Sequence, residues 1–459
     1  MEAQAVAVMV PFPAQSHLNQ MLHLSCLLSA YDVPVHFACS APHVRQAKLR
    51  FNDMNRLNAA KLSFHELPTP PFLSPAPDPN SPAKFPSHLL PSFEASLHLR
   101  GPMATFLQEI SVTARRVIVI RDALMAYAVQ DAATLANVES YSFYPTCAFT
   151  CYFDGWEFTG KSFETDEPEG LPSLEGCYTA EVIKFFTIQN DHEDWSSGIL
   201  INSSRAIEGF YIDLLESSAN KLQSTPRKIW AIGPLNREAA KESRDSGRQH
   251  KCLEWLDKQT SNSVVYVSFG TTTSLTDEQI KEIALGLEES RQKFIWSLRD
   301  ADKADIFSGN LRRTQLPEGY EERVKEFGMV VRDWAPQLEI LGHPSTGGFL
   351  SHCGWNSCLE SITMGVPMAA WPMHSDQPKN AFLVTDILRA GVVVNKWKPN
   401  KELVSSLTIA EAVKDLMASR KGEEIRKKAE ELGCATMQYW DEGGVSRIEL
   451  DSFVAHIIR

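Results

Sequence analysis

Apolar residues fall along this chain in short continuous runs separated by amphipathic stretches. That is the pattern of parallel strands covered on both faces and joined by helices. Ala5–Val10 is the first run. PFPAQSH then turns the chain, and from about Leu18 the positions Leu18, Met21, Leu22 and Cys26 share one helical stripe. Val33–Ala38 follows as a second strand, so the chain opens with a βαβ unit and a right-handed crossover. Val117–Ile120, Tyr141–Pro145 and Gly198–Asn202 continue the strands, with helices predicted over Val129–Leu135 and Ile207–Leu215. Trp230–Pro234 closes this half.

Three stretches break the alternation. Residues 68–91 hold nine prolines, which excludes regular helix or central strand and predicts a long loop over the ligand end of the sheet. Residues 153–194 are acidic, aromatic-bearing and weakly periodic, and read as loops and short helices. Residues 236–250 are charged and poor in apolar positions, as a linker is. The expected organisation is a domain over 1–240, a second over 251–437, and a C-terminal helix over 438–459.

The second half restarts the pattern with a strand at Val264–Phe269, a turn at Gly270–Thr273, and a helix capped by Thr276 and Gln279 that buries Ile280, Ile283, Ala284 and Leu287. Phe294–Leu298 and Met329–Arg332 are strands around a polar loop at 300–315. The last helix, with Ser446 and Glu449 as its predicted cap, carries Leu450, Phe453, Val454 and Ile457 on a face that needs a partner. Trp334–Gln377 is the densest segment. It reads as a strand at Gly347–Ser351, a turn at His352–Trp355, a helix from Asn356 or Ser357, and a strand at Val366–Trp371. A helix N-terminus after a glycine turn suits a phosphate, although a Ser357–Glu360 capping box accounts for the same residues without a ligand. His352, Trp334, Asp376 and Gln377 stand at strand ends, where open parallel sheets bind ligands.

Composition narrows the partners. The 459 residues carry a net charge of −12, which disfavours nucleic acid and anionic membranes. Nine cysteines lack zinc or Cys-x-x-Cys spacing and fit a reducing compartment. The N-terminus reads as a strand rather than a signal peptide, and no apolar run approaches the ~18 residues of a membrane span, so a cytoplasmic chain is expected. Neither half has a Gly-x-Gly-x-x-Gly or P-loop signature, which argues against a dinucleotide dehydrogenase or a P-loop enzyme.

The segment WAPQLEILGHPSTGGFLSHCGWNSCLESITMGVPMAAWPMHSDQ resembles the signature box of plant UDP-dependent glycosyltransferases from end to end. PFPAQSHLNQMLHLS, HVRQAKLR, FPSHLLPSFEASLHLR, CLEWLDKQ, VYVSFGTTTSL, KFIWSLRDADKADIF and DEGGVSRIE extend the likeness over the chain, and within the family they resemble the zeatin O-glycosyltransferases. The resemblance implies two doubly wound, Rossmann-like α/β domains facing across a cleft (the GT-B arrangement), with the last helix returning to the first domain. It implies that Trp334 stacks on uracil, that the main chain of Ala335 lies near the base, and that Gln337 and Glu360 hold the ribose. Thr271, His352, Asn356 and Ser357 meet the diphosphate. Asp376, Gln377 and the main chain of Trp355 bind sugar hydroxyls, with Thr146 near the sugar. His17 is the implied base and Asp122 its orienting acid, a pairing that fixes the imidazole tautomer. The implied reaction is inverting glucosyl transfer from UDP-glucose to a small acceptor, zeatin-type cytokinins first. UDP-xylose as donor, phenolic, flavonoid or terpenoid acceptors, and a non-catalytic binding protein are the alternatives. No metal or organic cofactor is expected, and the chain is expected to be a monomer. Ser16 and Gln20 depart from the family's usual Gly and Pro, and bear on the acceptor rather than on the reaction. Phe72, Phe85, Phe93, Trp156 and Phe185 are candidate pocket residues.

Overall fold

The computed structural model describes residues 3–54, 62–81, 83–159, 165–193, 195–222, 227–235, 250–299, 301–307, 314–398 and 402–459. The predicted linker falls almost wholly outside these residues. Two wholly parallel sheets form. The first contains β1 (Ala3–Val10), β2 (Val35–Ser40), β3 (Leu62–Leu67), β4 (Ala114–Asp122), β5 (Val138–Tyr144), β6 (Gly198–Ile201) and β7 (Ile229–Ala231) in the order β3-β2-β1-β4-β5-β6-β7. The second contains β8 (Val264–Ser268), β9 (Lys293–Ser297), β10 (Gly328–Val331), β11 (Thr346–Ser351), β12 (Met368–Ala370) and β13 (Gly391–Val393) in the order β10-β9-β8-β11-β12-β13. Val6, Val8 and Val10 of β1 pack to one side and Ala7 and Met9 to the other, so both faces are covered. This is why these strands read as unbroken apolar runs.

The order of the first sheet reverses between β1 and β4, and that of the second between β8 and β11. These crevices are where open α/β sheets bind ligands. His17 follows β1 and Asp122 ends β4. Gly270 and Thr271 follow β8, and His352 follows β11.

Several local expectations are corrected. The helix at Trp355–Met364 has Gly354 at its cap with no side-chain hydrogen bond, so Ser357–Glu360 is not a capping box. Ser357 instead accepts from Gln337 Nε2 at 3.0 Å. Helix Val445–Ile457 is likewise capped by Gly444. Ser446 donates to Gly233 O at 2.5 Å, and Glu449 pairs with Arg205 at 2.7 Å. Residues 153–194 include most of one helix, Ala148–Thr159, whose Phe149, Tyr152 and Phe153 pack in the core of the second half, and all of another, Ala180–Asn190, whose Val182 and Phe185 pack in the core of the first. Val129–Leu135 is mostly a 3-10 turn, Gln130–Thr134. Thr276 does cap helix Asp277–Ser290 through Gln279 N at 3.1 Å, but the Gln279 side chain bonds Val404 rather than closing the box.

The last helix returns to the first sheet. Leu450, Phe453, Val454 and Ile457 are buried in the same core as Met9, Tyr141 and Trp230, and Arg116 Nη1 holds the Ile457 carbonyl at 2.6 Å. The halves also meet directly: Trp355 Nε1 donates to Asn202 O at 2.7 Å, and Lys379 pairs with Asp154. Among the described residues no helix is long and apolar enough to cross a membrane.

Candidate active site

His17 stands in the first turn of helix Gln15–Ala30, with its side chain 24% exposed at the cleft. Its Nδ1 lies 2.7 Å from Asp122 Oδ2, and Asp122, almost wholly buried, is itself held by the Leu124 N–H on Oδ1 at 3.0 Å. A carboxylate fixed at both oxygens assigns the proton to Nδ1 and leaves Nε2 free to accept one. Burial, the largest influence, pulls the His17 pKa down. The charge and hydrogen bond of Asp122, with the charge of Asp376, outweigh it and leave the pKa raised above 6.5. Phe12 packs edge-on to the His17 ring at 5.1 Å, and Phe93 and Phe185 pack on Phe12, so an apolar wall flanks the imidazole. Phe72 instead stacks over His43, and the Trp156 side chain lies outside the described residues.

Asp376 comes from the opposite half. Its Oδ2 accepts from Thr146 Oγ1 and from Asn380 Nδ2, both at 2.9 Å. Burial raises its pKa against those bonds and the charge of His17. Gln377 is buried, with Oε1 accepting the N–H groups of Met373 (2.9 Å) and His374 (3.1 Å), which leaves its amide N–H₂ as the group to offer a ligand. Gln337 Nε2 bonds both Ser357 (3.0 Å) and Glu360 (2.7 Å), drawing these three together. Asn356 reaches the Ser16 carbonyl at 3.3 Å, next to the His17 backbone. Trp334 is 55% exposed beside His250, a large apolar plane left open to a base. With the UDP-sugar donor that the resemblance implies, Trp334→Ala is expected to raise the donor KM about tenfold, the size of one lost stacking contact, with kcat little changed in steady-state assays.

His352 is buried, and burial pushes its pKa down to about 4 against the backbone of Ser268. At neutral pH it is an uncharged imidazole. A Cβ on Gly270 would lie 2.4 Å from Nε2 and one on Gly354 2.6 Å from the same atom, so both positions need glycine. Gly270 also has φ +74°, whereas Gly354 has φ −58°. Gly354→Ala therefore tests ring displacement alone, and Gly270→Ala adds about 1–2 kcal/mol of left-handed strain. Both are expected to weaken UDP binding at least tenfold by calorimetry, with only Gly270→Ala also lowering Tm markedly.

Comparison with known proteins gives the family. Residues 3–237 match the glycosyltransferase N-terminal domain family, and residues 238–427 match the UDP-glucoronosyl and UDP-glucosyl transferase family. The chain is 52% identical over 459 residues to a zeatin O-glucosyltransferase of Phaseolus lunatus, covering 99% of this chain and 97% of that one. It is 51% identical to a zeatin O-xylosyltransferase of Phaseolus vulgaris, covering 100% and 99%. It belongs to the UDP-glycosyltransferases. A transferase of Siraitia grosvenorii solved with UDP superposes with a TM-score of 0.78 at 28% identity, covering 99% of this chain and 100% of that chain.

As a UDP-glycosyltransferase the chain has polar groups at its site that sequence reading did not single out. Asn380 links Asp376 to the Cys353 carbonyl (3.0 Å) and to Thr150 (2.9 Å); only its spacing of four from Asp376 hinted at it. His374 lies 3.4 Å from Gln377 Nε2 and 3.2 Å from Thr272 Oγ1. Of the two departures from the family, Gln20 is a buried brace: it donates to Pro145 O at 2.9 Å and accepts from Asn202 at 2.5 Å. Ser16 is exposed at the cleft. The Trp355 indole is committed to Asn202, so only its main chain is left for a ligand. The Ala335 side chain packs on the core of the second half. The Thr271 carbonyl accepts from Asp302 N at 2.6 Å.

Proposed function

We propose that this glycosyltransferase inverts the anomeric carbon of UDP-glucose in transferring glucose to the side-chain hydroxyl of a zeatin-type cytokinin. One observation carries the reading: His17 of the first half is anchored by Asp122 at 2.7 Å at the cleft, where Thr146 of the same half bonds Asp376 of the other at 2.9 Å. In this scheme His17 Nε2 takes the acceptor hydroxyl proton, and the freed oxygen attacks C1. The bond from C1 to the β-phosphate oxygen breaks with its electron pair on UDP, giving a β-glucoside from the α-linked donor. Asp376 and Gln377 hold sugar hydroxyls, assisted by Thr146 and the Trp355 main chain. His352, Thr271, Asn356, Ser357 and the helix N-terminus at Trp355 meet the diphosphate, where negative charge grows as the bond breaks. Trp334, Ala335, Gln337 and Glu360 hold the uridine.

The choice of acceptor rests on the relatives, one named for glucosyl and one for xylosyl transfer to zeatin. UDP-xylose is therefore the second donor to test. Assaying zeatin and a flavonol with each donor, and locating the attached sugar by NMR, is expected to give the zeatin O-glucoside as main product. UDP-sugar binding with no turnover of either acceptor would refute the enzymatic reading, and preferential turnover of the flavonol would refute the zeatin assignment.

A further inference from the structure

A cavity of about 480 Å³ lies beside the donor residues, between the proline-rich loop of the first half and three loops of the second. We propose that it holds the flat ring system of the acceptor, and that Trp397, contributed by the second half, closes it on the outer side. This rests on the reading of the chain as a transferase acting on a small planar acceptor.

Four features support the assignment. First, the cavity has wall residues that contact residues of the candidate active site. Its wall residue His374 touches Gln377, and its wall residue Phe85 packs against both His374 (6.3 Å) and Phe93 (6.2 Å). Phe93 in turn packs on Phe12, which packs on His17. In this proposal the ring lies in the cavity and the hydroxyl-bearing arm on the side of these rings, toward the imidazole. Second, the lining suits a flat heteroaromatic ring. Trp371, Phe85 and Met373 supply apolar faces, and hydroxyls and His88 supply polar edges. Third, one wall residue, Thr273, is buried with a hydroxyl that has no hydrogen-bond partner, which is the state a polar ligand edge relieves. Fourth, the outer closure is built from both halves. Lys84 Nζ sits 3.9 Å above the Trp397 ring, and Trp397 Nε1 donates to Ser173 O at 2.9 Å. Trp397 thus ties the loop after β13 to two separate segments of the first half. Acceptor choice is then partly set outside the first half.

The test is equilibrium binding of zeatin, and of a flavonol, to the full chain in the presence of UDP, together with the KM for UDP-glucose and its acceptor-free hydrolysis. Binding of zeatin or of the flavonol to the wild type separates the question of acceptor identity from that of the cavity, because the variants are read with whichever compound binds. Trp397→Ala is expected to weaken acceptor binding about tenfold, the scale of a lost aromatic contact, with donor KM and hydrolysis within about twofold. Trp397→Phe is expected to recover most of the loss. Ala83→Trp, which fills the cavity from its rim, is expected to weaken the acceptor similarly, and it decides the matter if Trp397→Ala does not fold. Acceptor binding within twofold of wild type in the variants, an equal loss of donor and acceptor, or no binding of either compound to the wild type would overturn the proposal.

Discussion

His17→Ala is expected to lower kcat by about 10²–10⁴-fold, the usual contribution of a positioned general base, while UDP-glucose binds as in the wild type. The split follows from the proposed roles: His17 lies in the first half, and the residues proposed to hold the donor come mostly from the second. Calorimetry with UDP and single-turnover rates with saturating acceptor separate the two quantities, and a variant that folds and keeps its full rate would remove His17 from the mechanism. Asp122→Asn is the finer probe. It keeps the size of the side chain but loses the charge at Nδ1, so the rate is expected to fall strongly with no change in donor affinity. The pH dependence fixes the sign. The His17 pKa is raised above 6.5, and the base works unprotonated, so in the free enzyme kcat/KM for the acceptor declines as pH falls through a value above 6.5. With Asp122→Asn the stabilisation of the imidazolium is removed and burial dominates, so that acidic limb moves to lower pH. A limb that stays in place would mean that another group titrates.

The strands of both sheets that carry the site were legible because parallel strands buried on both faces contain continuous apolar runs, as Val264–Val267 and Gly347–Leu350 are. The reversals of strand order were not, since nothing in an apolar run says which run it will lie beside. Short elements also escaped. β13 has three residues, and β3 carries a half-buried His65 beside an exposed Glu66, which blurs its period. At the site, the box and its spacing pointed to the second half's residues, while the partners of those residues stayed hidden. Gln337 bonds Ser357 across 20 positions and Thr146 bonds Asp376 across 230, distances over which no local pattern operates. Two of the three predicted capping boxes fail at the cap itself, for a related reason. Ser357 and Ser446 have the right neighbours for a cap, but a preceding glycine takes the cap position and tertiary partners claim their hydroxyls.

Asp376→Asn is expected to lower kcat/KM for UDP-glucose by about 10²-fold or more, because hydrogen bonds to an ionised acceptor contribute about 1.5–3 kcal/mol each and a sugar diol makes two. The carboxylate is buried, and burial raises its pKa above 3.8 despite the donors Asn380 and Thr146. In the wild type the donor KM therefore rises as pH is lowered through that raised value, where the carboxylate gains a proton and loses its strength as an acceptor. In Asp376→Asn the donor KM is high at neutral pH and this acid rise is absent. The same substitution removes a charge that raises the His17 pKa, so the acidic limb of the acceptor profile shifts down as well. One substitution thus moves two titrations belonging to opposite halves of the molecule. Thr146→Val separates them. It deletes a donor that lowers the Asp376 pKa, so the acid rise in donor KM begins at higher pH while the charge seen by His17 at neutral pH is unchanged. Combining Thr146→Val with Asp376→Asn in a double-mutant cycle is expected to show non-additivity, since the two side chains share one hydrogen bond of 2.9 Å. Additive losses would mean that Thr146 contacts the sugar independently of Asp376, and the carboxylate would then be positioned by Asn380 alone.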